Sequence, residues 1–287
     1  MGNASMRISM VIVVFCVLTS FATPVFAQEK DMDPVPLPIL LSIPHGGSET
    51  PPEVADRVVA NATEVFEDGD AFTREIYDLG DRVAHVQSAR IARAFVDLNR
   101  AEDDRPPANP DGVVKTATCF DRPIYSQPLD DQATEGLLAL YHRPYHEGLD
   151  RAARSAGAVL ALDCHSMAAM PPPVAPDAGR PRPLFCLSNR DGATCDEERL
   201  RELASRIADA FGCPPGEVAL NRPFKGGYIT RRHGWSPLPW IQVEMNRSLY
   251  LADPWFDPAK RGVDPERLRQ LRERIWTALS ALDLGDA

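Results

Sequence analysis

The chain has 287 residues, a formal net charge of −10 at pH 7 and six cysteines. A surface this acidic repels the phosphate backbone of nucleic acids, so we expect no nucleic-acid partner. The length is sufficient for one domain with a large buried core. Neither a CxxC pair nor a Cys/His finger spacing is present, which argues against a cysteine zinc site.

The first 27 residues have the composition of a secretory signal peptide. Arg7 precedes an apolar stretch over residues 8–18, and small residues lead to Ala27. The apolar stretch is short for a spanning helix, so we predict cleavage after Ala27, with a retained membrane anchor as the alternative. The mature protein is then exported to the periplasm or the medium, without stable membrane insertion. Residues 28–37 form a leader, and residues 38–287 form a single domain.

Four short apolar runs, each ending in polar residues, indicate buried parallel strands. They cover residues 38–47, 91–100, 158–166 and 240–247. Helical periodicity fills much of the remaining chain, while residues 101–128 and 224–234 are predicted to be loops. The alternation predicts an α/β fold with a mostly parallel or mixed central sheet and helices on both faces. Ligands bind beyond the carboxyl ends of such strands.

Two histidines follow the predicted strands and suggest a metal site. His45 and His165 offer imidazole nitrogens which, with one carboxylate, match the ligands of catalytic zinc. One histidine alone would more often be a hydrogen-bonded core residue, but two in the same context favour metal ligands. Either Glu49 or Asp70 supplies the third ligand. One ion per chain is expected, and nickel or cobalt would accept the same ligands.

Other polar residues at the strand ends suggest catalytic and substrate-binding roles. Glu244 ends an apolar strand, so it is either paired with Arg247 or a general base with a raised pKa, and we favour the base. Asp163 is expected to orient a metal ligand from behind. Arg100 and Arg231 suit a carboxylate, which predicts a small anionic substrate. A serine hydrolase is disfavoured because no G-x-S-x-G elbow occurs.

Seven motifs, in the same order, resemble the N-formylglutamate amidohydrolase (N-formylglutamate deformylase) family. They are SIPHGG at 42–47, Asp70 with IYD at 76–78, VDLNR at 96–100, YHRPYH at 141–146, LDCHS at 162–166, FKGGYITR at 224–231 and QVEMNR at 242–247. Their combined order over residues 38–251 is far more specific than any single motif.

The resemblance implies a phosphorylase/hydrolase-like α/β core, similar to the zinc carboxypeptidase-like exopeptidases. It implies zinc held by His45 and His165, and it favours Asp70 over Glu49 as the third ligand. Glu244 becomes the general base, and the carboxylate of the substrate is recognised by Asn99 and Arg100. Tyr228, Thr230 and Arg231 lie in the matching glycine-bearing motif, and we expect them to bind substrate.

The implied reaction is hydrolysis of N-formyl-L-glutamate to formate and L-glutamate. Relatives in histidine breakdown work in the cytoplasm, whereas this chain is predicted to be exported. Two other hypotheses for its function therefore stay open. In the first, the same site acts on a different substrate, and the protein is an exported zinc carboxypeptidase or cell-wall peptide amidase. The other is a non-catalytic periplasmic binding protein for an acidic ligand, against which the presence of His45, His165 and Glu244 argues.

Overall fold

A six-stranded mixed sheet forms the centre of the computed structural model, which describes residues 1–2, 35–171, 175 and 177–285. The strands are β1 (Leu37–Ile43), β2 (Val83–Ser88), β3 (Leu160–Met167), β4 (Phe185–Ser188), β5 (Val218–Leu220) and β6 (Trp240–Asn246). Their order in the sheet is β2-β1-β3-β6-β4-β5. Strands β2, β1, β3 and β6 are parallel, whereas β4 runs antiparallel to β6. A separate two-stranded ribbon pairs β7 (Phe256–Asp257) with β8 (Gly262–Val263).

Helices cover both faces of this sheet, as the sequence predicts. They are α1 (Ala62–Asp68), α2 (Thr73–Tyr77), α3 (Asp131–Leu137), α4 (Arg143–Ser155), α5 (Glu197–Phe211), α6 (Tyr228–His233) and α7 (Pro265–Ser280). Asp196 caps α5 by accepting from the Arg199 amide, and Gly212 ends the helix in the left-handed conformation. The fold class is therefore confirmed as α/β with a mostly parallel mixed sheet.

The two faces of the sheet differ in polarity along the strands. One face is apolar over most of its length, since Leu41, Leu162 and Val243 pack with α2, α5 and α7 in one core. Each fully buried side chain of this kind contributes about 1.5–3 kcal/mol.

The opposite face starts apolar, at Leu40, Ala161 and Trp240, and packs on α4 and α6. Two residues further along each strand it becomes polar, with Ser42, Asp163 and Gln242, all buried. Because side chains alternate along a strand, these polar residues share one face. They lead into the carboxyl edge of the parallel strands, where a site is expected.

Two predicted elements are wrong in detail. The run over residues 91–100 is a series of turns rather than a strand; β2 ends at Ser88, and the following backbone bonds run from Phe95 to Ala92 and from Arg100 to Asp97. Tertiary burial of Ala94 and Phe95 replaces sheet pairing there. The predicted loop over residues 224–234 contains α6, a helix too short to show clear periodicity.

The predicted helix over residues 134–156 is present in two parts. Helix α3 is followed by a π-helical turn, Leu138–His142, and then by α4, with Pro144 in its first turn. Proline has no amide hydrogen to donate, so the helix changes its bonding pattern at the position expected for a kink.

Residues 3–27 of the predicted export signal, and most of the predicted leader, lie outside the described residues. The helices within the described ranges are all too short or too polar to cross a bilayer. Cys119, Cys164, Cys186, Cys195 and Cys213 are all free thiols. Cys164 is buried in the core, as expected for a small apolar residue.

Candidate active site

Three side chains from separate parts of the chain meet at the carboxyl edge of β1 and β3. His45 follows β1, His165 lies in β3, and Asp70 lies in the turn between α1 and α2. One nitrogen or oxygen of each lies within 4.8 Å of the others, and all three residues are buried. Asp70 Oδ2 is 3.0 Å from His165 Nδ1 and 3.4 Å from His45 Nδ1. These atoms therefore face one common point.

A second carboxylate lies behind each imidazole. His45 Nε2 is 2.8 Å from Asp97 Oδ1, and His165 Nε2 is 3.1 Å from Asp163 Oδ1. In the metal-bound protein, a proton on each Nε2 would satisfy these buried acids and leave both Nδ1 lone pairs facing Asp70. Three acceptors facing one another are stabilised by a cation, and carboxylate-backed imidazoles are typical of metal ligands. The donor set therefore fits a divalent metal ion such as zinc.

Asp70 is held in place from several sides. Its amide donates to the His45 carbonyl, while Arg247 Nη2 donates to its Oδ1 at 2.9 Å. In the metal-free protein, burial alone raises the pKa of Asp70, but hydrogen bonds from His165 and His45, together with the Arg247 charge, outweigh it and hold that pKa well below its usual value. Asp70 is thus held in the ionised form, which is the form of a carboxylate that can bind a metal.

Glu49, the alternative third ligand, lies elsewhere. It forms an isolated bridge with Ile91, and its carboxylate pairs with Arg90 at 2.8 Å. This exposed ion pair directs the Glu49 carboxylate away from the two histidines. The structure therefore groups Asp70, and not Glu49, with His45 and His165.

Glu244 lies on β6 in direct register with His165 on β3. It is 7% exposed, and Gln242 Nε2 donates to its Oε1 at 2.9 Å. Burial raises the pKa of Glu244 to about 7, although His165 partly counteracts the shift. Arg247, the predicted salt-bridge alternative, instead bonds Asp70 and Ser166. A carboxylate with this pKa beside the His45, Asp70 and His165 group is suited to general acid and base catalysis.

A cavity of ≈ 540 Å³ opens over this group, and His45, Asp70, Asn99, His165 and Glu244 all line it. The volume is in the range of small-molecule sites. Asn99 is anchored through its Oδ1, which accepts from the Ile229 amide, and its Nδ2 lies 3.2 Å from His165 Nε2. Gly227 packs against it so closely that an added Cβ would lie 2.2 Å from Nδ2.

The remaining residues predicted to bind substrate differ in position. Arg100 lines the cavity, but its guanidinium already lies within 3.1–3.7 Å of Asp97, Asp104 and Asp111. Tyr228 and Arg231 line an adjoining cavity. The structure corrects the expectation for Thr230: it is fully buried, and its hydroxyl donates to Asp163 Oδ2 at 3.0 Å. Thr230 therefore orients Asp163 and does not face the cavity.

Several residues of the site were not assigned from sequence. Asp97 lies in a quoted motif, yet its contact with His45 requires the fold to be known. Gln242 lies on β6 two residues before Glu244, and Arg247 directly follows the strand. These positions indicate a shared region but not the partners of the two residues. Arg93 bonds Asp97 from the turn that replaces the predicted strand. Only the spatial arrangement identifies these partners.

A buried row of imidazoles supports the segment that carries Asn99. His146 Nε2 is 3.0 Å from the Leu98 carbonyl, and His142 Nε2 is 2.8 Å from the Arg100 carbonyl. His146 Nδ1 in turn contacts His233 Nε2 at 3.0 Å. Burial lowers the pKa of His146 to about 2, so it stays neutral and holds one tautomer. Carbonyls on both sides of Asn99 are thereby fixed.

The mixed α/β sheet, with imidazoles and carboxylates gathered at the carboxyl edge of its parallel strands, defines an α/β enzyme with a hydrolytic type of site. Comparisons with known proteins make this specific. Residues 37–251 match the family model described as N-formylglutamate amidohydrolase. The chain therefore belongs to the N-formylglutamate amidohydrolase family.

Individual relatives agree with this assignment. The chain is 32% identical to an N-formylglutamate deformylase of Pseudomonas putida over 228 residues, which is 76% of this chain and 83% of that protein. It is also 32% identical to the Pseudomonas aeruginosa deformylase over 232 residues, which is 75% of this chain and 82% of that protein. The crystal structure of N-formylglutamate amidohydrolase from Ralstonia eutropha JMP134 superposes with a TM-score of 0.70 at 25% identity, covering 85% of this chain and 92% of that one.

Proposed function

We propose that the protein is a metal-dependent hydrolase of N-formyl-L-glutamate, releasing formate and L-glutamate. The observation that carries the proposal is the convergence of His45, Asp70 and His165, with one ligand atom of each within 4.8 Å of the others. Two relatives that carry the deformylase name support the choice of substrate.

The three clustered residues would hold the metal, which we propose to be one zinc ion per chain. When bound, the ion supplies Lewis acidity, which lowers the pKa of water and polarises a carbonyl group. Asp97 and Asp163 fix the imidazoles from behind, at 2.8 and 3.1 Å. This support maintains ligand geometry when substrate enters.

Glu244 is proposed to move the proton. One carboxylate oxygen of Glu244 takes a proton from the attacking water while the water oxygen bonds to the formyl carbon. The same carboxyl group then gives that proton to the amide nitrogen as the C–N bond breaks. The products are formic acid and the free amine, and transfer of the acid proton to the amine gives formate and the ammonium group of glutamate. Gln242 fixes the carboxylate through Oε1, and a pKa of about 7 suits both transfers near neutral pH.

We propose that the carboxylates of the substrate face the side of the cavity lined by Asn99 and Arg100, with Arg231 and Tyr228 beyond. Asn99 is held by the Ile229 amide and by the packing of Gly227, so its amide offers a fixed donor. Fixing the substrate in this way lowers the entropic cost of reaching the transition state.

The test is a comparison of two products with the purified protein. We expect formate from N-formyl-L-glutamate, measured with a coupled formate assay, and no C-terminal residues from short peptides, measured by chromatography. Glutamate release and formate release should be equimolar. Release of C-terminal residues without formate would instead identify an exported carboxypeptidase, and binding without turnover would identify a binding protein.

We also propose that residues 1–27 direct export and are removed. The basis is the sequence pattern of Arg7, an apolar stretch and small residues before Ala27. Mass spectrometry of the protein from a periplasmic extract should give a mature chain that begins at Gln28. A chain found in the cytoplasmic fraction and retaining Met1 would contradict this.

A further inference from the structure

The cavity that adjoins the candidate active site contains two arginines that have no acidic partner among the residues the structure describes. This second cavity, of ≈ 470 Å³, is lined by Arg190 and Arg231. It shares Asn99, Arg100, Gly226 and Gly227 with the larger cavity that holds His45, Asp70 and His165. The two cavities are therefore neighbouring compartments, joined at Asn99.

All other cations that line the two cavities are paired with carboxylates. The pairs are Arg93 with Asp97, Arg100 with Asp111, Arg182 with Asp177, Lys225 with Asp191 and Arg247 with Asp70. Within the described residues, Arg190 and Arg231 form no ion pair; Arg190 Nη1 donates to the Gly226 carbonyl, and the Arg231 guanidinium lies 5.6 Å from the centre of the Tyr228 ring. Their charges remain available to a ligand.

The backbone that carries Arg190 is held in a defined turn. Arg190 has a left-handed conformation, with a φ of 56°, next to the buried Asn189. Asn221 Oδ1 accepts from the amides of Asn189 and Asp191, and Asn221 Nδ2 donates to Asn189 Oδ1 at 3.0 Å. These bonds fix both sides of Arg190, so the arginine is presented to the cavity by a rigid turn.

We propose that Arg190 and Arg231 form a subsite for the side-chain carboxylate of an N-acylated acidic amino acid. This inference rests on the proposed function and names how the second negative charge of the substrate is recognised. The α-carboxylate is one carbon from the amide nitrogen, so it stays near Asn99 and Arg100 in the larger cavity. The side-chain carboxylate of glutamate is several bonds further away. The cavity lined by Arg190 and Arg231 is not lined by His45, Asp70, His165 or Glu244, so it lies further from the reacting amide and suits the side-chain carboxylate.

Two guanidinium groups suit a carboxylate because each offers parallel N–H donors in a planar fork. Asp103 and Asp104 also line this cavity, but Asp104 is bonded by Arg100 and Asn109, and Asp103 is exposed. The subsite therefore favours a negative charge over a neutral amide of the same shape. It predicts that N-formylglutamate is preferred over N-formylglutamine.

The first experiment compares kcat/KM for these two substrates in Arg190→Gln, Arg231→Gln and the double variant. For N-formylglutamate we expect a loss of about 10- to 100-fold in the double variant, mainly through KM, as for lost charge-assisted hydrogen bonds. N-formylglutamine should change by less than about 3-fold, since its uncharged amide forms no ion pair with either guanidinium. The matched control is Arg201→Gln, whose exposed side chain pairs with Glu197 on α5; it should behave as wild type.

The second experiment separates this subsite from the proposed reaction. Calorimetry measures binding of glutarate, with two carboxylates, and butyrate, with one, to wild type and to the double variant. We expect wild type to prefer glutarate and the double variant to lose that preference. If wild type releases no formate from either substrate, the proposed function fails, and the glutarate comparison still decides the subsite. Unchanged substrate selectivity and unchanged glutarate preference in the double variant would overturn the subsite while leaving the deformylase proposal intact.

Discussion

The imidazole rings of His45 and His165 lie edge to face, with centroids 4.7 Å apart. They come from adjacent parallel strands, β1 and β3, which are paired through Ser42 and Asp163. Both rings direct Nδ1 toward the same Asp70 oxygen and Nε2 toward separate buried acids. Two histidines 120 positions apart in sequence are thereby held as one unit by the sheet.

The replacement Glu244→Gln tests proton transfer. Glutamine has the same shape but takes up no proton, so we expect kcat to fall by about 100-fold or more, within the range of general acid–base catalysis. Metal content, measured by plasma mass spectrometry, should equal that of wild type, because Glu244 lies outside the His45, Asp70 and His165 group. A variant with a near-normal rate of formate release would remove the assignment of Glu244.

The replacement Gly227→Ala tests the position of Asn99. An added Cβ would lie 2.2 Å from Asn99 Nδ2, so the amide must leave its contacts with His165 and Ile229. We expect formate release to fall by about 10-fold or more, as for other small displacements of positioning groups. The control is Gly136→Ala in α3, where nothing lies within 4 Å of the added Cβ; it should keep activity and gain about 0.5–1 kcal/mol of stability. Equal rates in the two variants would contradict the role of Asn99.

The buried pair of Lys115 and Asp68 is expected to matter for stability. Lys115 is fully buried, and its Nζ donates to both Asp68 oxygens at 2.8 and 2.7 Å. Lys115→Met removes the direct ion-pair partner of a buried carboxylate, which should lower the free energy of unfolding by about 3–5 kcal/mol. Lys260→Met, which removes an 82% exposed side chain from its pair with Asp257, should change it by less than about 1 kcal/mol. Urea unfolding of both variants gives the comparison, and equal midpoints would refute it.

Asp68 also predicts a pH dependence of stability. Burial raises the pKa of Asp68. The positive charges of Lys115 and Arg93 lower it by more than burial raises it, so the pKa of Asp68 lies below the usual value of 3.8. A carboxyl group with a lowered folded-state pKa stabilises the protein fully above the unfolded-state pKa, and this contribution is lost as the pH falls through the folded-state pKa. The difference in unfolding free energy between wild type and Asp68→Asn should therefore shrink from pH 7 to pH 3. Asp56→Asn, at an exposed position, serves as the control. A difference that grows toward pH 3 would show that the sign is wrong.

The elements predicted from sequence are those whose signals are local. The strands ending at His45, His165 and Glu244 are continuous apolar runs bounded by polar residues, and the helices after Asp196 and Asp264 have clear caps and apolar stripes. These signals depend on residues close together in the chain. The placement of the two histidines and Glu244 at one sheet edge follows from parallel strands sharing an edge.

The parts that sequence did not predict depend on distant contacts. The turns over residues 91–100 are apolar enough to resemble a strand. Ala94 and Phe95, however, are buried by packing in the same core as Leu40, Ala161 and Trp240 rather than by pairing in the sheet. The antiparallel direction of β4 is set by its pairing with β6. Likewise, the motif predicts that Thr230 binds substrate, whereas the short helix α6 directs its side chain toward Asp163. A motif locates a residue in the chain without giving the direction of its side chain.

The most direct test of the central claim is formate release from N-formyl-L-glutamate before chelation, after chelation and after return of one equivalent of zinc. We predict that the chelated protein loses activity and that zinc restores it in wild type. In His165→Ala, zinc should fail both to bind and to restore the rate, because one of the three clustered ligands is missing. Full activity in a protein shown by plasma mass spectrometry to contain no metal would contradict the account.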